Sequence, residues 1–404
     1  MSTVKDNSLR VPYGLAVHGI EEEKKVLQVL RSKKTSLAQE TETFEKKVAK
    51  IFGKKYGIMV NSGSSANLLA VELLHLPAKS EVITPVLTFA TTVSPLVMKG
   101  LIPVFTDVVH GTYQIDMKQL EAAVSQNTKA FMIPLLLGNA ADLEKIAIIA
   151  KKYKLPVILD SCDTLGATFN GKKTGAFGDI CTTSFYGSHI ITAGGNGGML
   201  LVDSENFRDN AKILRGWGRG SALYDESEAI EKRYQTKIGN IPYDAKFIFA
   251  ELGYNFLPME MGSAFGNAQL LKLNKFSQIR KKNFKTLLKF FQQYERYFIL
   301  PQQDVRVYTQ WLSFPLTIKN NAPFSRFEIV SYLEENNIQT RPIFTGIITK
   351  QPGFTDIPCK SLQKSFPVAE EIMERGFVVG CHQGLTDDHI NKLEEIFIRF
   401  LKAF

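Results

Sequence analysis

Short apolar runs alternate with stretches of helical spacing from about residue 57 onward. Apolar runs of this length, bounded by turn residues, indicate buried strands. The predicted strands are Glu81 to Pro85, Ile102 to Phe105, Ala130 to Pro134, Pro156 to Asp160, Ile180 to Phe185 and Met199 to Val202. Helical patterns such as Asp142 to Tyr153 lie between them. The alternation predicts an α/β fold with a large, mostly parallel central sheet flanked by helices.

The pattern changes after about residue 258, where long helical stretches become more frequent. The elements predicted in this part are a long helix from about Glu260 to Tyr297, a strand near Trp311 to Ile318, a helix from Ser325 to Asn336 and a final helix from Asp387 to Phe404. We therefore predict a large domain over residues 1–258, including the N-terminal segment, and a smaller C-terminal α+β domain over residues 259–404. The polar segment from Ser221 to Asp244 is predicted to be a surface excursion near a ligand site.

The composition, with 44% hydrophobic and 22% charged residues, is typical of a soluble globular protein. No stretch approaches the roughly 18 apolar residues of a membrane helix, and Met1 to Asp6 contain no apolar signal core. We therefore expect a cytoplasmic protein that does not associate with membranes. Cys162, Cys181, Cys359 and Cys381 are scattered, without a C-x-x-C pair, which argues against a disulfide framework or a metal motif.

The formal net charge of +9 fits either an anionic ligand such as a nucleotide diphosphate or a lysine-rich solvated surface. The basic run from Arg280 to Lys285 is predicted to be an exposed helix face, and we expect no nucleic-acid partner. The histidines His18, His75, His110 and His389 show no metal-ligand spacing and are predicted to be structural or at the surface.

A stretch rich in serine and glycine, Asn61 to Asn67, precedes an apolar helix predicted over Leu68 to Leu76. Glycine lets the backbone approach an anion closely, and the N–H groups at the start of a helix favour phosphate. Serine hydroxyls such as those of Ser64 and Ser65 add further donors. Taken alone, however, the stretch is better explained as a plain helix-capping turn.

Asp160 ends a predicted strand, and the carboxyl ends of strands face the crevice where α/β sheets bind ligands. A carboxylate there can pair with a protonated pyridine nitrogen and keep the ring an electron sink. An aspartate that caps a loop fits this residue equally well. Phe89 follows another strand and can stack on a cofactor ring, although in isolation it is better explained as a core residue.

His189 is the most informative residue of the chain. It ends the stretch Ser184-Phe185-Tyr186-Gly187-Ser188-His189, which a glycine-rich turn follows. Pyridoxal-phosphate enzymes place a lysine in such a setting, because its amine condenses with the cofactor aldehyde. Imidazole cannot form that bond, but it can accept and donate a proton near neutral pH. If the position corresponds, a general base has replaced a covalent anchor.

These motifs occur together in the order and spacing of one family. From Val11 to the C-terminus the chain resembles the sugar-nucleotide aminotransferases of the DegT/DnrJ/EryC1/StrS type, which carry S-F-x-x-x-K where this chain has Ser184 to His189. The version with histidine is similar to the sugar-nucleotide 3-dehydratases of that family, as are Leu214 to Arg219 and Arg341 to Gly346. The resemblance implies the fold-type-I architecture of pyridoxal-phosphate-dependent transferases.

The resemblance also implies a role for each candidate residue. These roles are phosphate binding by Gly63, Ser64, Ser65 and Ser184, ring stacking by Phe89, pairing with the ring nitrogen by Asp160, a place near the phenolic oxygen for Asp163, and proton removal by His189. Asn255 would reach the phosphate of the other subunit's cofactor, which implies a homodimer with composite sites. Substrate contacts are expected of Arg219, Arg341 and His382, although an ordinary surface ion pair explains Arg341 almost as well.

The implied reaction is the C3-dehydration of an NDP-4-keto-6-deoxyhexose to a 4-keto-3,6-dideoxyhexose. Pyridoxamine phosphate would be the reactive form of the cofactor, glutamate the amine donor and His189 the base. One subgroup of these dehydratases also carries an iron–sulfur cluster fed by a reductase. Of that subgroup's four cysteines only Cys162 is matched, and one thiolate cannot hold a cluster. The resemblance therefore implies the type without a cluster.

One stretch departs from the family pattern. Members usually have G-E-G-G after the lysine or histidine, whereas this chain has Gly194-Gly195-Asn196-Gly197-Gly198, one residue longer and without the acid. The alternatives are a sugar-nucleotide 4-aminotransferase, a cluster-dependent dehydratase and a non-catalytic sugar-nucleotide-binding homologue. The last fits poorly with the retention of Asp160, Asp163, Phe89 and Asn255.

Overall fold

The computed structural model describes residues 9–224 and 229–404. The sequence expectations for Met1 to Asp6, and for residues 225–228 of the predicted surface excursion, lie outside these ranges. The helices of the described residues are α1 (Ile20–Ser32), α2 (Gln39–Phe52), α3 (Gly63–Glu72), α4 (Ala90–Met98), α5 (Met117–Ala122), α6 (Leu143–Tyr153), α7 (Glu205–Arg215), α8 (Ile230–Arg233), α9 (Glu260–Gln292), α10 (Arg326–Glu335), α11 (Pro367–Arg375) and α12 (Asp387–Leu401).

The strands form one large sheet and three smaller ones. In chain order they are β1 (Tyr56–Val60), β2 (Glu81–Pro85), β3 (Ile102–Thr106), β4 (Thr128–Pro134), β5 (Val157–Asp160), β6 (Thr168–Phe169), β7 (Lys172–Lys173), β8 (Ile180–Ser184), β9 (Gly198–Val202), β10 (Thr236–Ile238), β11 (Ile241–Tyr243), β12 (Phe298–Ile299), β13 (Val307–Tyr308), β14 (Phe314–Ile318), β15 (Thr340–Pro342), β16 (Lys360–Ser361) and β17 (Gly376–Val379).

The large sheet has eight strands in the order β1-β9-β8-β5-β4-β2-β3-β16. β9 runs antiparallel to both of its neighbours, and every other adjacent pair in this sheet is parallel. The mostly parallel sheet predicted from the sequence is therefore confirmed. Because parallel strands share a direction, the carboxyl ends of β1, β2, β4, β5 and β8 meet at one edge of the sheet.

Both faces of this sheet are covered, as the alternation of side chains along a strand requires. Along β1, Ile58 and Val60 pack with Leu69 of α3, whereas Met59 points to the other face and packs with Phe44 and Val48 of α2. Uncharged strands buried on two sides are the pattern expected of a parallel sheet.

The C-terminal part contains a second, antiparallel sheet in the order β12-β14-β17-β15. One hydrophobic cluster joins it to the first part, because Val86 and Phe105 pack in the same core as Leu287 and Phe314. The division near residue 258 thus stays a prediction. No helix in residues 9–224 and 229–404 is long and apolar enough to cross a membrane.

Two local predictions are wrong. The helix predicted over Leu68 to Leu76 begins earlier, at Gly63, because Ser62 caps it: the Ser62 side chain accepts a hydrogen bond from the backbone N–H of Ser65. The run from Arg280 to Lys285 is not an exposed face throughout. Arg280 and Asn283 are buried, whereas Lys282 and Lys285 face the solvent.

Candidate active site

The carboxyl ends of the parallel strands open into a cavity of about 770 Å³. The loops after β1, β2, β4, β5 and β8 supply most of its walls, and β15 closes it from the C-terminal part. The predicted site residues that line this cavity are Gly63, Ser64, Phe89, Asp160, Asp163, Ser184, His189 and Arg341. The fold therefore brings together side chains that are far apart in the sequence.

Asp160 is buried at the end of β5 and is held in one orientation. Its Oδ2 accepts hydrogen bonds from Asn67 Nδ2 and from Thr92 Oγ1, each at 2.8 Å, and its Oδ1 accepts one from the backbone N–H of Cys162 at 3.3 Å. The amide of Asn67 is itself fixed, because Thr182 Oγ1 donates to its Oδ1 at 2.6 Å. A network of this kind gives the carboxylate a unique position at the cavity wall.

Asp163 lies in the loop after β5 and is also buried. The backbone N–H of Leu137 donates a hydrogen bond to its Oδ2 at 2.9 Å. Burial raises the pKa of Asp163 to about 7, and the nearby charge of Asp160 contributes to the increase. Asp163 can therefore gain or lose a proton near neutral pH.

The N-terminus of α3 points to the cavity, where Ser62, Gly63 and Ser64 contribute to the lining. A Cβ atom at position 63 would lie only 2.8 Å from Ser184 Cβ and 2.9 Å from Cys162 Sγ, so a larger side chain does not fit. The N–H groups of the first helical turn and the hydroxyls of Ser64 and Ser184 form a set of donors suited to a phosphate. The capping turn predicted from the sequence and the candidate phosphate donors thus belong to the same turn.

Phe89 is the residue before α4 and is 51% exposed within the cavity lining. The edge of its ring meets the ring of Phe344, with centroids 6.2 Å apart. An aromatic ring that exposes half of its surface is not a core residue, so that interpretation is wrong. The exposed surface is available for stacking on a flat ligand.

His189 follows β8, in a turn where its backbone N–H donates to the carbonyl of Tyr186 at 3.0 Å. The Nδ1 atom of its imidazole is buried and has no hydrogen-bond partner among the described residues. Burial lowers the pKa of His189 to about 4, and the positive charge of Arg280 adds to the decrease. The imidazole is therefore neutral near pH 7 and able to accept a proton.

Two further residues line the cavity, Tyr13 and Asn196. Burial raises the pKa of Tyr13 to about 12, and its ring lies 5.8 Å from the guanidinium of Arg341. The N-terminal segment reaches this place because Val11 pairs with Ile338, a contact for which no local pattern exists in the sequence. Asn196, by contrast, belongs to the loop that departs from the family pattern, and that departure was the available signal.

Two predicted residues lie behind the lining rather than in it. The hydroxyl of Ser65 donates to Asn61 Oδ1 at 2.6 Å, so it supports the turn instead of facing the cavity. His382 is fully buried, its Nε2 lies 3.1 Å from the carbonyl oxygen of Pro12, and its Nδ1 accepts from the backbone N–H of Gly384. This corrects the expectation that His382 contacts the substrate, because both ring nitrogens serve the backbone.

Arg219 and Asn255 lie outside the cavity lining as well. The Arg219 guanidinium lies over the ring of Trp217 at 4.4 Å and near those of Phe247 and Phe249. Arg219 therefore does not contact the cavity of its own protomer, which corrects the expected substrate contact within one protomer. Asn255 is exposed, and a backbone bridge pairs it with Gly216.

The donor set fits a cofactor that combines a pyridine ring with a phosphate. The cavity lining combines the N-terminus of α3 and two serine hydroxyls, a fixed carboxylate at the carboxyl end of β5, an exposed aromatic ring and an imidazole. Glycine at position 63 lets the start of α3 pack closely against Ser184 and Cys162. These are the features that hold pyridoxal phosphate in enzymes of fold type I.

Comparison with known proteins agrees with this geometry. The model of the DegT/DnrJ/EryC1/StrS aminotransferase family matches residues 18–397. The lipopolysaccharide biosynthesis protein RfbH of Salmonella typhimurium is 38% identical over 371 residues, which are 88% of this chain and 84% of the relative. The GDP-4-keto-6-deoxy-D-mannose 3-dehydratase of Escherichia coli O55:H7 is 33% identical over 387 residues, with 93% and 96% covered.

Solved structures show the same relationship. An E. coli GDP-4-keto-6-deoxy-D-mannose-3-dehydratase with bound hydrated PLP is similar to this chain with a TM-score of 0.86 and 31% identity. The match covers 96% of this chain and 100% of that one. The fold-type-I architecture expected from the sequence is therefore confirmed. The chain belongs to the DegT/DnrJ/EryC1/StrS aminotransferase family.

Proposed function

We propose that the protein is a pyridoxal-phosphate-dependent sugar-nucleotide 3-dehydratase in which His189 is the base. The observation that carries the proposal is the imidazole at position 189, which lines the same cavity as the residues to which the resemblance gives cofactor-binding roles, namely Gly63, Ser64, Phe89, Asp160, Asp163 and Ser184. Other members of the family have a lysine at this position, and transamination uses its amine. Relatives that are named as 3-dehydratases support the same assignment.

The proposed cofactor-binding roles are those that the family resemblance implies, and the positions of the side chains are compatible with them. The first turn of α3, together with Ser64 and Ser184, would hold the phosphate, and Asp160 would accept a hydrogen bond from the ring nitrogen. Phe89 would lie against the ring and Asp163 near its phenolic oxygen. When bound in its pyridoxamine form, the cofactor supplies an amine for a sugar ketone and a ring that takes up an electron pair.

His189 would move the proton. Because burial lowers its pKa to about 4, the imidazole is unprotonated at pH 7, which is the state in which a general base acts. Once protonated, it can deliver that proton to the departing C3 hydroxyl, which then leaves as water. A lysine at this position would instead compete for the cofactor aldehyde.

The expected substrate is an NDP-4-keto-6-deoxyhexose, and glutamate is the expected amine donor. In the overall reaction the sugar loses its C3 oxygen, while glutamate is oxidised to 2-oxoglutarate and ammonia is released. The two electrons that reduce the sugar therefore come from glutamate. Arg341 lines the cavity and its guanidinium suits a carboxylate or a diphosphate, so we assign it to one of these ligands.

This stoichiometry requires no external reductant, and we propose that the enzyme uses no iron–sulfur cluster. Cys162 lines the cavity, Cys181 and Cys381 are buried elsewhere, and Cys359 is exposed. Within residues 9–224 and 229–404, no group of three or more His, Cys, Asp or Glu side chains is arranged to hold a metal ion.

We also propose a homodimer in which Asn255 reaches the cofactor phosphate of the partner. Asn255 is exposed on its own protomer, and large apolar side chains near it are exposed too. Leu252 is 98% exposed, and Phe247 and Phe249 are each 54% exposed, which is unusual for a surface that meets only water. A second copy of the chain would cover these side chains.

The proposal is tested by incubating the protein with pyridoxal phosphate, glutamate and GDP- or CDP-4-keto-6-deoxyhexose. We expect equal amounts of ammonia and 2-oxoglutarate, and a sugar product that has lost one oxygen by mass spectrometry. A product that keeps the hydroxyl and gains an amine, without ammonia release, would establish an aminotransferase instead. Omission of glutamate is the control, and it should limit the reaction to the cofactor supplied in its pyridoxamine form.

A further inference from the structure

Arg280 lies in the middle of α9 and is fully buried. No carboxylate of the described residues forms an ion pair with it; its hydrogen-bond acceptors are a side-chain amide and backbone carbonyls. Burial of a cation without a counter-ion is costly, because its lost hydration is not offset by an opposite charge. Burial also lowers the pKa of Arg280 to about 10. Such a residue beside a cavity calls for a reason other than stability.

The contacts of Arg280 lead to the turn that carries His189. Its Nε donates to Gln383 Oε1 at 2.6 Å, and its Nη2 approaches the carbonyl oxygen of His189 at 3.5 Å. Gln383 Nε2 in turn donates to the carbonyl of Ile190 at 3.2 Å. Arg280 and Gln383 together, here called the carbonyl clamp, thus hold two successive carbonyls of this turn.

The other contacts anchor the clamp. Arg280 Nη1 donates to the carbonyls of Trp311 at 3.2 Å and of Leu312 at 3.0 Å. The backbone N–H of Leu312 donates to the carbonyl of Leu137 at 2.7 Å, so this segment is itself tied to the turn that follows β4. The planar guanidinium has its donors in fixed directions, and it therefore fixes the geometry of the carbonyls that it joins.

We propose that the carbonyl clamp, Arg280 and Gln383, positions His189 by fixing the main chain of its turn, so that the imidazole is aimed into the cavity. The clamp acts on the proposed base, so this inference rests on the proposed function. Arg280 has a second effect, which is electrostatic. A positive charge that faces the imidazole from α9 disfavours its protonation, whereas Asp160 at the end of β5 acts in the opposite direction.

The test uses Arg280→Met, Arg280→Lys and Gln383→Leu, with Arg326→Met as a matched control. Arg326 also donates to two backbone carbonyls, those of Met373 and Gly376, but it lies outside the cavity lining. In the cofactor-free protein, NMR of carbon-13-labelled histidine measures the pKa of His189. With substrates, steady-state kinetics measures kcat and KM.

Arg280→Met is expected to raise the pKa of His189 and to lower kcat about tenfold to a hundredfold with KM little changed, because the base is displaced. Arg280→Lys should keep the low pKa of His189 but recover only part of kcat, since lysine supplies the charge without the several fixed donor directions of the guanidinium. Gln383→Leu should lower kcat and leave the pKa unchanged. Arg326→Met should change neither quantity.

An unchanged His189 titration and an unchanged kcat in Arg280→Met overturn the inference, as does the same loss of kcat in Arg326→Met. If Arg280→Met does not fold, Arg280→Lys and Gln383→Leu decide: a lower kcat at unchanged KM supports the clamp, and an unchanged kcat refutes it. The titration requires neither cofactor nor substrate. A failure of the dehydratase assignment is therefore distinguished from a failure of the clamp.

Discussion

At the end of β5 the Asp160 carboxylate accepts three hydrogen bonds, and one of its donors, Asn67, is itself held by Thr182. His189 lines the same cavity, and its Nδ1 atom is buried without a hydrogen-bond partner among the described residues. A buried polar atom without a partner costs about 1–3 kcal/mol, so most such atoms are satisfied. Under the proposed function, the aspartate wall (Asp160 and its hydrogen-bond donors) holds the cofactor, whereas the histidine wall (the turn that carries His189) supplies the base.

Removal of the imidazole should have the largest effect. His189→Asn keeps a polar side chain of moderate size but has no basic nitrogen, and a general base contributes about 10²- to 10⁴-fold to a rate. We expect turnover to fall within that range and the dissociation constant of the cofactor to change little. Turnover by product assay and cofactor affinity by fluorescence titration check this. A large loss of cofactor affinity in His189→Asn would show that His189 binds the cofactor and would contradict its assignment as a base alone.

Substitution of Asp160 should instead lower the affinity for the cofactor. Asp160→Asn keeps the shape of the side chain but removes its charge, and a hydrogen bond to a charged group contributes about 1.5–3 kcal/mol. We therefore expect cofactor affinity to weaken about tenfold to a hundredfold. Equilibrium dialysis measures it, and Asp116→Asn at the start of α5, outside the cavity lining, is the control. Unaltered affinity in Asp160→Asn would contradict the assignment.

The ionisation of His189 and that of Asp163 should also give opposite pH dependences of the free energy of unfolding. His189 has a folded pKa of about 4, so between its unfolded value and pH 4 the unfolded chain binds more protons and stability falls as pH falls. Asp163 has a folded pKa of about 7, so the folded chain binds more protons and stability falls as pH rises toward 7. Each effect is on the order of 2 kcal/mol.

Urea unfolding at pH 5 and pH 8 separates these contributions. The difference in unfolding free energy between His189→Asn and wild type should favour the variant more at pH 5 than at pH 8. For Asp163→Asn, the same difference should favour the variant more at pH 8 than at pH 5. Equal shifts at both pH values in either variant would mean that its ionisation is not linked to folding.

The smallest effect is expected from the residues that support Asp160. Asn67→Ala removes one of the three hydrogen bonds that orient the carboxylate but keeps its charge, so we expect only about 1 kcal/mol of the binding free energy of the cofactor to be lost. Cofactor affinity should therefore weaken about fivefold, less than in Asp160→Asn. Affinity as low as that of Asp160→Asn would show that the network, rather than the charge, holds the ligand.

Local patterns predicted much of the fold. The strand from Glu81 to Pro85 was predicted to the residue, because an apolar run bounded by turn residues leaves little freedom for its ends. Asp160 was placed at a strand end for the same reason, whereas the strand predicted over Ile180 to Phe185 ends one residue earlier, at Ser184. The start of α3 was missed because Ser62 was not recognised as its cap.

Long-range contacts explain what the sequence did not predict. Tyr13 enters the cavity only because the N-terminal segment pairs with a distant one. Arg280 was predicted to be exposed because it begins a basic run. The spacing of Phe276, Arg280, Asn283 and Leu287 nevertheless puts them on one face of α9, and all four are buried. The periodicity of the helix, rather than the charge of the run, was the better guide.

The chemistry at C3 of the sugar tests the central claim most directly. Carbon-13 NMR of the product formed by the wild-type protein with pyridoxal phosphate, glutamate and the 4-keto-6-deoxy sugar nucleotide reports whether that carbon still bears oxygen. The account predicts a methylene at C3 beside a retained C4 ketone, and no such product from His189→Asn. A C3 that keeps its hydroxyl beside an aminated C4 would contradict the account.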